Sequence, residues 1–121
     1  MADAERFEQG RARFGELMGR DIKSESGADE FMDVTFENLF GDIWNREGLS
    51  LRDRSMITCA ALIALGKEEE LKVHFRGLLN QGVTADEIDE MIIHLAHYGG
   101  WPNAVAARRA ATSVFEKTGA R

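Results

Sequence analysis

The sequence has very few of the residues that hold secreted or redox-active chains together. Of its 121 residues, only one is a cysteine and only one is a proline. The single thiol, Cys59, excludes an internal disulfide framework and a Cys-x-x-Cys redox pair. It also agrees with a reducing, cytoplasmic environment. The scarcity of proline, together with 44% hydrophobic and 30% charged residues, suits a helical globular chain of one domain.

Long apolar runs and an excess of positive charge are missing as well. The longest apolar stretch, Met56 to Leu65, is about half of what a bilayer span requires. The first residues are charged throughout, so no signal-peptide pattern opens the chain. The formal net charge is −6 and no lysine or arginine cluster stands out, which argues against nucleic acid and anionic membranes as partners. We expect a small-molecule partner instead.

Apolar periodicity predicts an all-α domain of about six helices and no convincing strand. In the second helix, the pattern predicts a buried side made of Phe31, Val34, Phe36, Leu39, Phe40 and Ile43. The predicted helices span about residues 3–18, 29–44, 50–65, 67–80, 84–97 and 102–117.

The third predicted helix is apolar on all sides over its second half, MITCAALIAL. A helix without a polar face is usually buried on more than one side. In so small a protein, we expect the second covering surface to come from another subunit.

Residues able to move protons near neutral pH are concentrated between Glu68 and Pro102. This stretch contains all three histidines of the chain: His74, His94 and His97. Thr84 with Glu87 predicts a capping box. The Gly99-Gly100 break has two interpretations: it lets backbone approach a ligand, or it only ends one helix and starts the next.

Several spaced motifs resemble the carboxymuconolactone decarboxylase family. They extend from about Phe36 to Phe115 and read WNREGLSLRDRS, AALIALG, EELKVH, LLNQGVTADEIDE and HLAHYGGWPNA. The resemblance implies an all-helical domain shared with alkylhydroperoxidase D-like proteins and assembled as a homo-oligomer, a trimer or a hexamer. The redox branch of that superfamily has a Cys-x-x-Cys pair followed by a histidine. Here Lys67 and Glu70 occupy the cysteine positions, while His74 keeps the histidine position.

The resemblance also implies a reaction. Family members remove CO2 from a small carboxylated lactone such as 4-carboxymuconolactone, giving an enol-lactone in aromatic catabolism, and need no cofactor. On this basis His74 is predicted to be the proton donor or electrostatic partner, oriented by Glu70 one helical turn earlier. The alternative is that the pair is only a contact on a helix surface.

Further residues are predicted to bind the substrate. Arg46 and Arg54 lie in family-like motifs and suit a carboxylate, although ion pairs with Glu47 or Asp53 are an equal alternative. His94 and His97 are expected to line a pocket rather than hold a metal, because no third ligand is evident. For His97 the alternative is a contact between subunits. The remaining pocket candidates are Tyr98 and Trp101. The alternative for Trp101, as for Trp44, is that its side chain only packs against its neighbours.

Two other functions remain open. One is a thiol-dependent peroxidase or reductase of the same superfamily, which would have to work with Cys59 alone. The other is a non-catalytic scaffold that binds a small molecule.

Overall fold

Six α-helices, one π-helix and one 3-10 helix make up most of residues 3–121, which are the residues that this computed structural model describes. No strand occurs among them, so the all-α prediction is confirmed. The elements are α1 (Ala4–Met18), α2 (Glu30–Val34), the π-helix (Thr35–Phe40), the 3-10 helix (Ile43–Asn45), α3 (Leu51–Leu65), α4 (Glu68–Asn80), α5 (Ala85–Gly99) and α6 (Trp101–Thr118).

The chain divides into two compact units, one ending at Leu51 and the other starting at Arg52. The organisation as a single domain stays a prediction. No helix in the described part of the chain is both long and apolar enough to cross a bilayer.

The first unit is built on an aromatic core. Asp3 caps α1 by accepting a hydrogen bond from the backbone N–H of Arg6 at 3.1 Å. Neighbouring aromatic rings in this core lie 4.7–6.3 Å apart between centroids, within the range of favourable ring pairs. They belong to Phe7, Phe14, Phe36, Phe40 and Trp44.

The predicted second helix, residues 29–44, is wrong beyond its first turns. After Val34 the backbone widens into the π-helix, and it then turns at Gly41 and Asp42. A π-helix takes more residues per turn than an α-helix, so Leu39 is rotated away from Phe36 and Phe40. Four of the six side chains predicted to be buried are exposed: Leu39 in the π-helix, and Phe31, Val34 and Ile43 outside it.

The second unit packs α4 and α5 against α6. Leu71, Phe75 and Leu78, predicted to share one face of α4, are all fully buried. Ile88 and Ile92 contribute the core side of α5. The alanines of α6 are buried at positions 104, 107, 110 and 111, so their small side chains allow close helix approach.

Helix α3 contributes one face to this core and leaves another uncovered. Cys59 and Ile63 are fully buried in the core cluster. Ile57 and Leu65, on a different side, are 55% and 66% exposed, and Ala61 between them is also exposed. The helix is therefore not covered on all sides within one chain.

Two caps fix the ends of α5. The predicted capping box is confirmed: the Glu87 N–H donates to Thr84 Oγ1 at 3.1 Å, and the Thr84 N–H donates to Glu87 Oε1 at 3.0 Å. At the other end, Gly100 alone separates α5 from α6, with φ of +98°. Only glycine adopts such a conformation without strain, so this residue sets the reversal between the two helices.

Candidate functional site

Helix α4 holds His74 at the edge of its buried face. Leu71 and Phe75 are fully buried on either side of it in sequence and anchor the helix to the core. His74 itself is half-buried. The imidazole is thus held on a rigid element while part of it remains accessible.

Burial lowers the pKa of His74 from its usual value of 6.5, because desolvation disfavours the charged imidazolium. The carboxylate of Glu70, one turn earlier, acts in the opposite direction and partly offsets this effect. Glu70 is exposed, which limits its influence. The predicted pairing of Glu70 with His74 therefore has an electrostatic basis.

The two arginines predicted to bind a carboxylate lie in different surroundings. Arg46 is exposed, and its guanidinium forks around the Asp42 carboxylate at 3.1 and 3.2 Å. The sequence interpretation anticipated an ion pair there but named different acids, Glu47 or Asp53. Arg54 lies in the first turn of α3, half-buried, with its Nε atom fully enclosed.

The remaining predicted residues form two ring pairs at the C-terminal end of α5. His94 and Tyr98 lie with ring centroids 5.2 Å apart. His97 meets Trp101 edge to face at 6.3 Å, and its Nδ1 atom lies 2.9 Å from the Ile93 carbonyl oxygen. All four side chains are exposed.

These ring pairs bear on two of the sequence interpretations. The two histidines engage different neighbours, and residues 3–121 contain no group of three or more histidine, cysteine or acidic side chains placed to hold a metal. Trp44 is 5% exposed and Trp101 is 64% exposed. The packing interpretation therefore holds for Trp44 and is wrong for Trp101 within one chain.

Three hollows in the second unit adjoin α5. The smallest, about 220 Å³, lies between α5 and α6 and includes Trp101 in its lining. The largest is an open groove between α3 and α5, with Met56, Ala60 and His94 among its lining residues. The third is lined by α5 residues alone, and His94, His97 and Tyr98 are among them. His74 belongs to none of these linings, so His74 and Glu70 lie apart from the predicted residues at the end of α5.

The Gly99-Gly100 break serves the fold. A Cβ atom at position 99 would lie 2.6 Å from the Cα of Ala64, so glycine is what allows α5 to touch α3. The Asn103 side chain donates hydrogen bonds at 2.9 Å to the carbonyl oxygens of Ala64 and Gly99. Of the two interpretations of the break, the structural one has this direct support.

Sequence reasoning missed two contributors to this region. Asn103 joins three helices through its side chain, a role that no sequence pattern signals. Arg108 lines the α5–α6 cavity. Its spacing of seven residues from Trp101, two turns along the same face of α6, was the available signal.

Cys59 is unsuited to thiol chemistry. Its side chain is fully buried, and burial raises the pKa of the thiol to about 12. The thiolate is the reactive form, so almost none is present near neutral pH.

Comparison with known proteins agrees with this picture. Residues 29–113 match the carboxymuconolactone decarboxylase family. The chain is 36% identical to a 4-carboxymuconolactone decarboxylase of Acinetobacter baylyi over 125 residues, which cover 98% of this chain and 93% of that protein.

Two further relatives match over shorter spans. The chain is 40% identical over 71 residues to a nitrosuccinic acid decarboxylase of Metarhizium robertsii, covering 59% of this chain and 50% of that protein. It is 36% identical over 81 residues to an uncharacterised 15.0 kDa protein of Paracoccus denitrificans, covering 65% of this chain and 60% of that protein.

The fold and the site define a small all-α protein with a half-buried histidine held at the edge of a helical core. Within that class, the chain belongs to the carboxymuconolactone decarboxylase family.

Proposed function

We propose that this protein is a cofactor-free decarboxylase that acts on a small carboxylated lactone such as 4-carboxymuconolactone and releases an enol-lactone. The observation that carries the proposal is the 36% identity, over 98% of the chain, to a protein named for that reaction. The family match over residues 29–113 supports the same class of activity, a carboxy-lyase.

The substrate's own chemistry explains why the reaction needs no cofactor. When the bond between the ring carbon and the carboxylate breaks, CO2 leaves and the electron pair stays on the ring. The conjugated double bond and the lactone carbonyl accept that pair as a dienolate. Addition of one proton to carbon then gives the neutral enol-lactone. The protein must stabilise the dienolate oxygen and deliver the proton.

His74 is the proposed group for both tasks. The imidazole donates a hydrogen bond from an N–H to the developing oxyanion, a contribution of the kind whose removal costs about 10²–10³ in rate. The negative charge of a bound carboxylate raises the pKa of a nearby imidazole. His74, disposed toward the neutral state by burial, would then take up a proton in the complex and deliver it to carbon. Glu70 supports the imidazolium through its charge.

The other predicted residues are proposed to bind the substrate. Arg54 is the better placed of the two arginines, because it is half-buried and belongs to the same unit as His74, whereas Arg46 is exposed. The α5 ring pairs, His94 with Tyr98 and His97 with Trp101, are proposed to wall the pocket.

Turnover of freshly generated 4-carboxymuconolactone tests the proposal, with loss of the lactone and release of CO2 measured together. We expect His74→Ala to lower kcat by about 10²–10⁴-fold and Glu70→Gln to lower it less. Glu69→Gln is the matched control, because Glu69 is an exposed acid of the same helix that pairs with Lys72. Equal turnover in all four proteins would remove His74 and Glu70 from the mechanism.

The second relative defines a related substrate class for the same assay. In a nitro-substituted diacid, the nitro group can accept the electron pair that the lactone carbonyl accepts in the first case. Turnover of nitrosuccinate without turnover of the lactone would support the proposed carboxy-lyase class but contradict the proposed lactone substrate. Saturable binding without turnover of either compound would favour the non-catalytic scaffold.

We further propose that the protein works in the cytoplasm as a homo-oligomer, a trimer or a hexamer, in the breakdown of aromatic compounds. The exposed row of Ile57, Ala61 and Leu65 on α3 supports self-association, because a second copy would remove its apolar surface from water.

A further inference from the structure

The cavity between α5 and α6 is formed by matching faces of the two helices. On each helix the lining residues recur at the spacing i, i+3, i+4 and i+7, which places them on one side. The lining residues are Asp89, Ile92, Ile93 and Ala96 of α5 and Trp101, Ala104, Val105 and Arg108 of α6.

Small side chains give this cavity its depth. Ala96 and Ala104 are both buried at its base, and neither fills the space between the helices. At about 220 Å³ the cavity is smaller than the roughly 300–1,000 Å³ typical of drug-sized ligands. It therefore suits a compact ligand with one ring. Trp101, 64% exposed, offers an indole surface to such a ring.

The charges in the lining leave one cation uncompensated. The Asp89 carboxylate forms an ion pair with Arg121, Nη1 to Oδ2, at 2.5 Å. Arg108 has no ion pair or hydrogen bond from its side chain within residues 3–121. A free guanidinium beside apolar walls is a site for a carboxylate, which it can bind with two parallel hydrogen bonds.

We infer that the α5–α6 cavity binds the carboxylate-bearing ring of a small acid, with Arg108 holding the carboxylate and Trp101 lying against the ring. The binding itself follows from the charge, size and lining of the cavity. The identification of that acid with the decarboxylase substrate rests on the proposed function. On that identification Arg108 is a further substrate-binding residue, in a cavity that His74 does not line.

Titrations monitored by nitrogen-15 NMR at the Trp101 indole N–H test this inference, with benzoate as the probe. Benzamide has the same ring and nearly the same shape without the negative charge. We expect saturable shifts with benzoate and much smaller ones with benzamide. In Arg108→Gln, benzoate binding should weaken by about 10- to 100-fold, the usual effect of losing a charged hydrogen-bonding partner.

Arg109→Gln is the matched control. Arg109 neighbours Arg108 on α6 but pairs with Glu68 and lies outside the cavity lining. The two variants change the net charge equally, so a non-specific charge effect would weaken benzoate binding in both. Arg108→Lys should retain part of the affinity for benzoate. Lysine keeps the positive charge but cannot donate the two parallel hydrogen bonds of a guanidinium.

Several outcomes would overturn the inference. They are equal binding of benzoate and benzamide, equal affinity in the Arg108→Gln and Arg109→Gln variants, and a Trp101 signal that responds only to protein concentration. The last result would assign the cavity to contact with a second copy.

Steady-state kinetics separate this inference from the proposed function. If the lactone is turned over, Arg108→Gln should raise KM about 10-fold or more and change kcat less. An unchanged KM would contradict the assignment of Arg108 to the substrate and leave the decarboxylase proposal intact. Arg108-dependent benzoate binding in a protein without turnover would support the cavity as a binding site and contradict the decarboxylase proposal.

Discussion

Gly99 of α5 lies directly against Ala64 of α3, so closely that a Cβ atom at position 99 would stand 2.6 Å from the Ala64 Cα and 3.1 Å from its Cβ. The Asn103 side chain bridges the same junction, donating to the carbonyl oxygens of both residues. At this junction the end of α5 and the start of α6 are both held against the end of α3.

Adding one methyl group at this junction should therefore destabilise the protein. We expect Gly99→Ala to lower the free energy of unfolding by about 1–3 kcal/mol, the usual cost of overpacking. The direction of this change is informative, because replacing glycine by alanine inside a helix otherwise raises the free energy of unfolding by about 0.5–1 kcal/mol. Urea denaturation followed by circular dichroism measures it. Gly48→Ala is the control, since no atom lies within 4 Å of a Cβ there, and a stabilised Gly99→Ala would contradict the packing described.

Burial of His74 should make stability depend on pH. Its pKa is lower in the folded chain than the usual 6.5 of an unfolded chain, so the unfolded state binds more protons between the two values. The free energy of unfolding should therefore fall as pH drops below about 6.5 and through the folded pKa. His74→Gln should flatten this part of the profile.

Urea titrations between about pH 5 and 8 measure that profile, and NMR titration of the imidazole C–H signals gives the folded pKa directly. A folded pKa of His74 above 6.5 would show that the Glu70 carboxylate outweighs desolvation, and it would contradict this prediction.

Cys59 should be chemically silent in the native protein. We expect the folded protein to react with a thiol reagent such as 5,5′-dithiobis-(2-nitrobenzoate) at least about 100-fold more slowly than the urea-unfolded chain, because little thiolate forms in the core. As Cys59 is the only cysteine, the absorbance change reports this one site. Cys59→Ala should keep the native turnover. Loss of activity in a folded Cys59→Ala protein would revive the thiol-dependent alternative.

The uncovered side of α3 should mediate self-association. We expect Leu65→Asp to lower the molecular mass measured by light scattering, since Leu65 is 66% exposed in a single chain and would be desolvated by a second copy. Thr112→Asp adds the same charge at an exposed position of α6 and should leave the mass unchanged. Equal masses for the wild type and both variants would place the contact elsewhere.

Much of the second unit could be predicted from the sequence because its signals are local. The buried face of α4 follows from the spacing of Leu71, Phe75 and Leu78, and the start of α5 follows from the Thr84–Glu87 capping box. Such patterns need only neighbouring residues to be recognised.

Other features depend on contacts between distant residues and could not be predicted. The π-helix changes which face Leu39 occupies, and nothing in its local pattern distinguishes it from an α-helix. The cavity that contains Arg108 exists only because α5 and α6 pack against one another. The role of Asn103 depends on carbonyl groups as far away in sequence as Ala64. The predicted roles of His74 and Glu70 came from a family resemblance, and the structure adds the burial that lowers the pKa of the imidazole.

The contrast between the two tryptophans has a practical consequence. Trp44 is enclosed in the aromatic core of the first unit, whereas Trp101 stands exposed at the start of α6 in the second. Their fluorescence should therefore differ, with blue-shifted emission from Trp44 and red-shifted emission from Trp101. Each half of the chain thus carries its own optical reporter, and single-tryptophan variants would follow the two halves separately during unfolding.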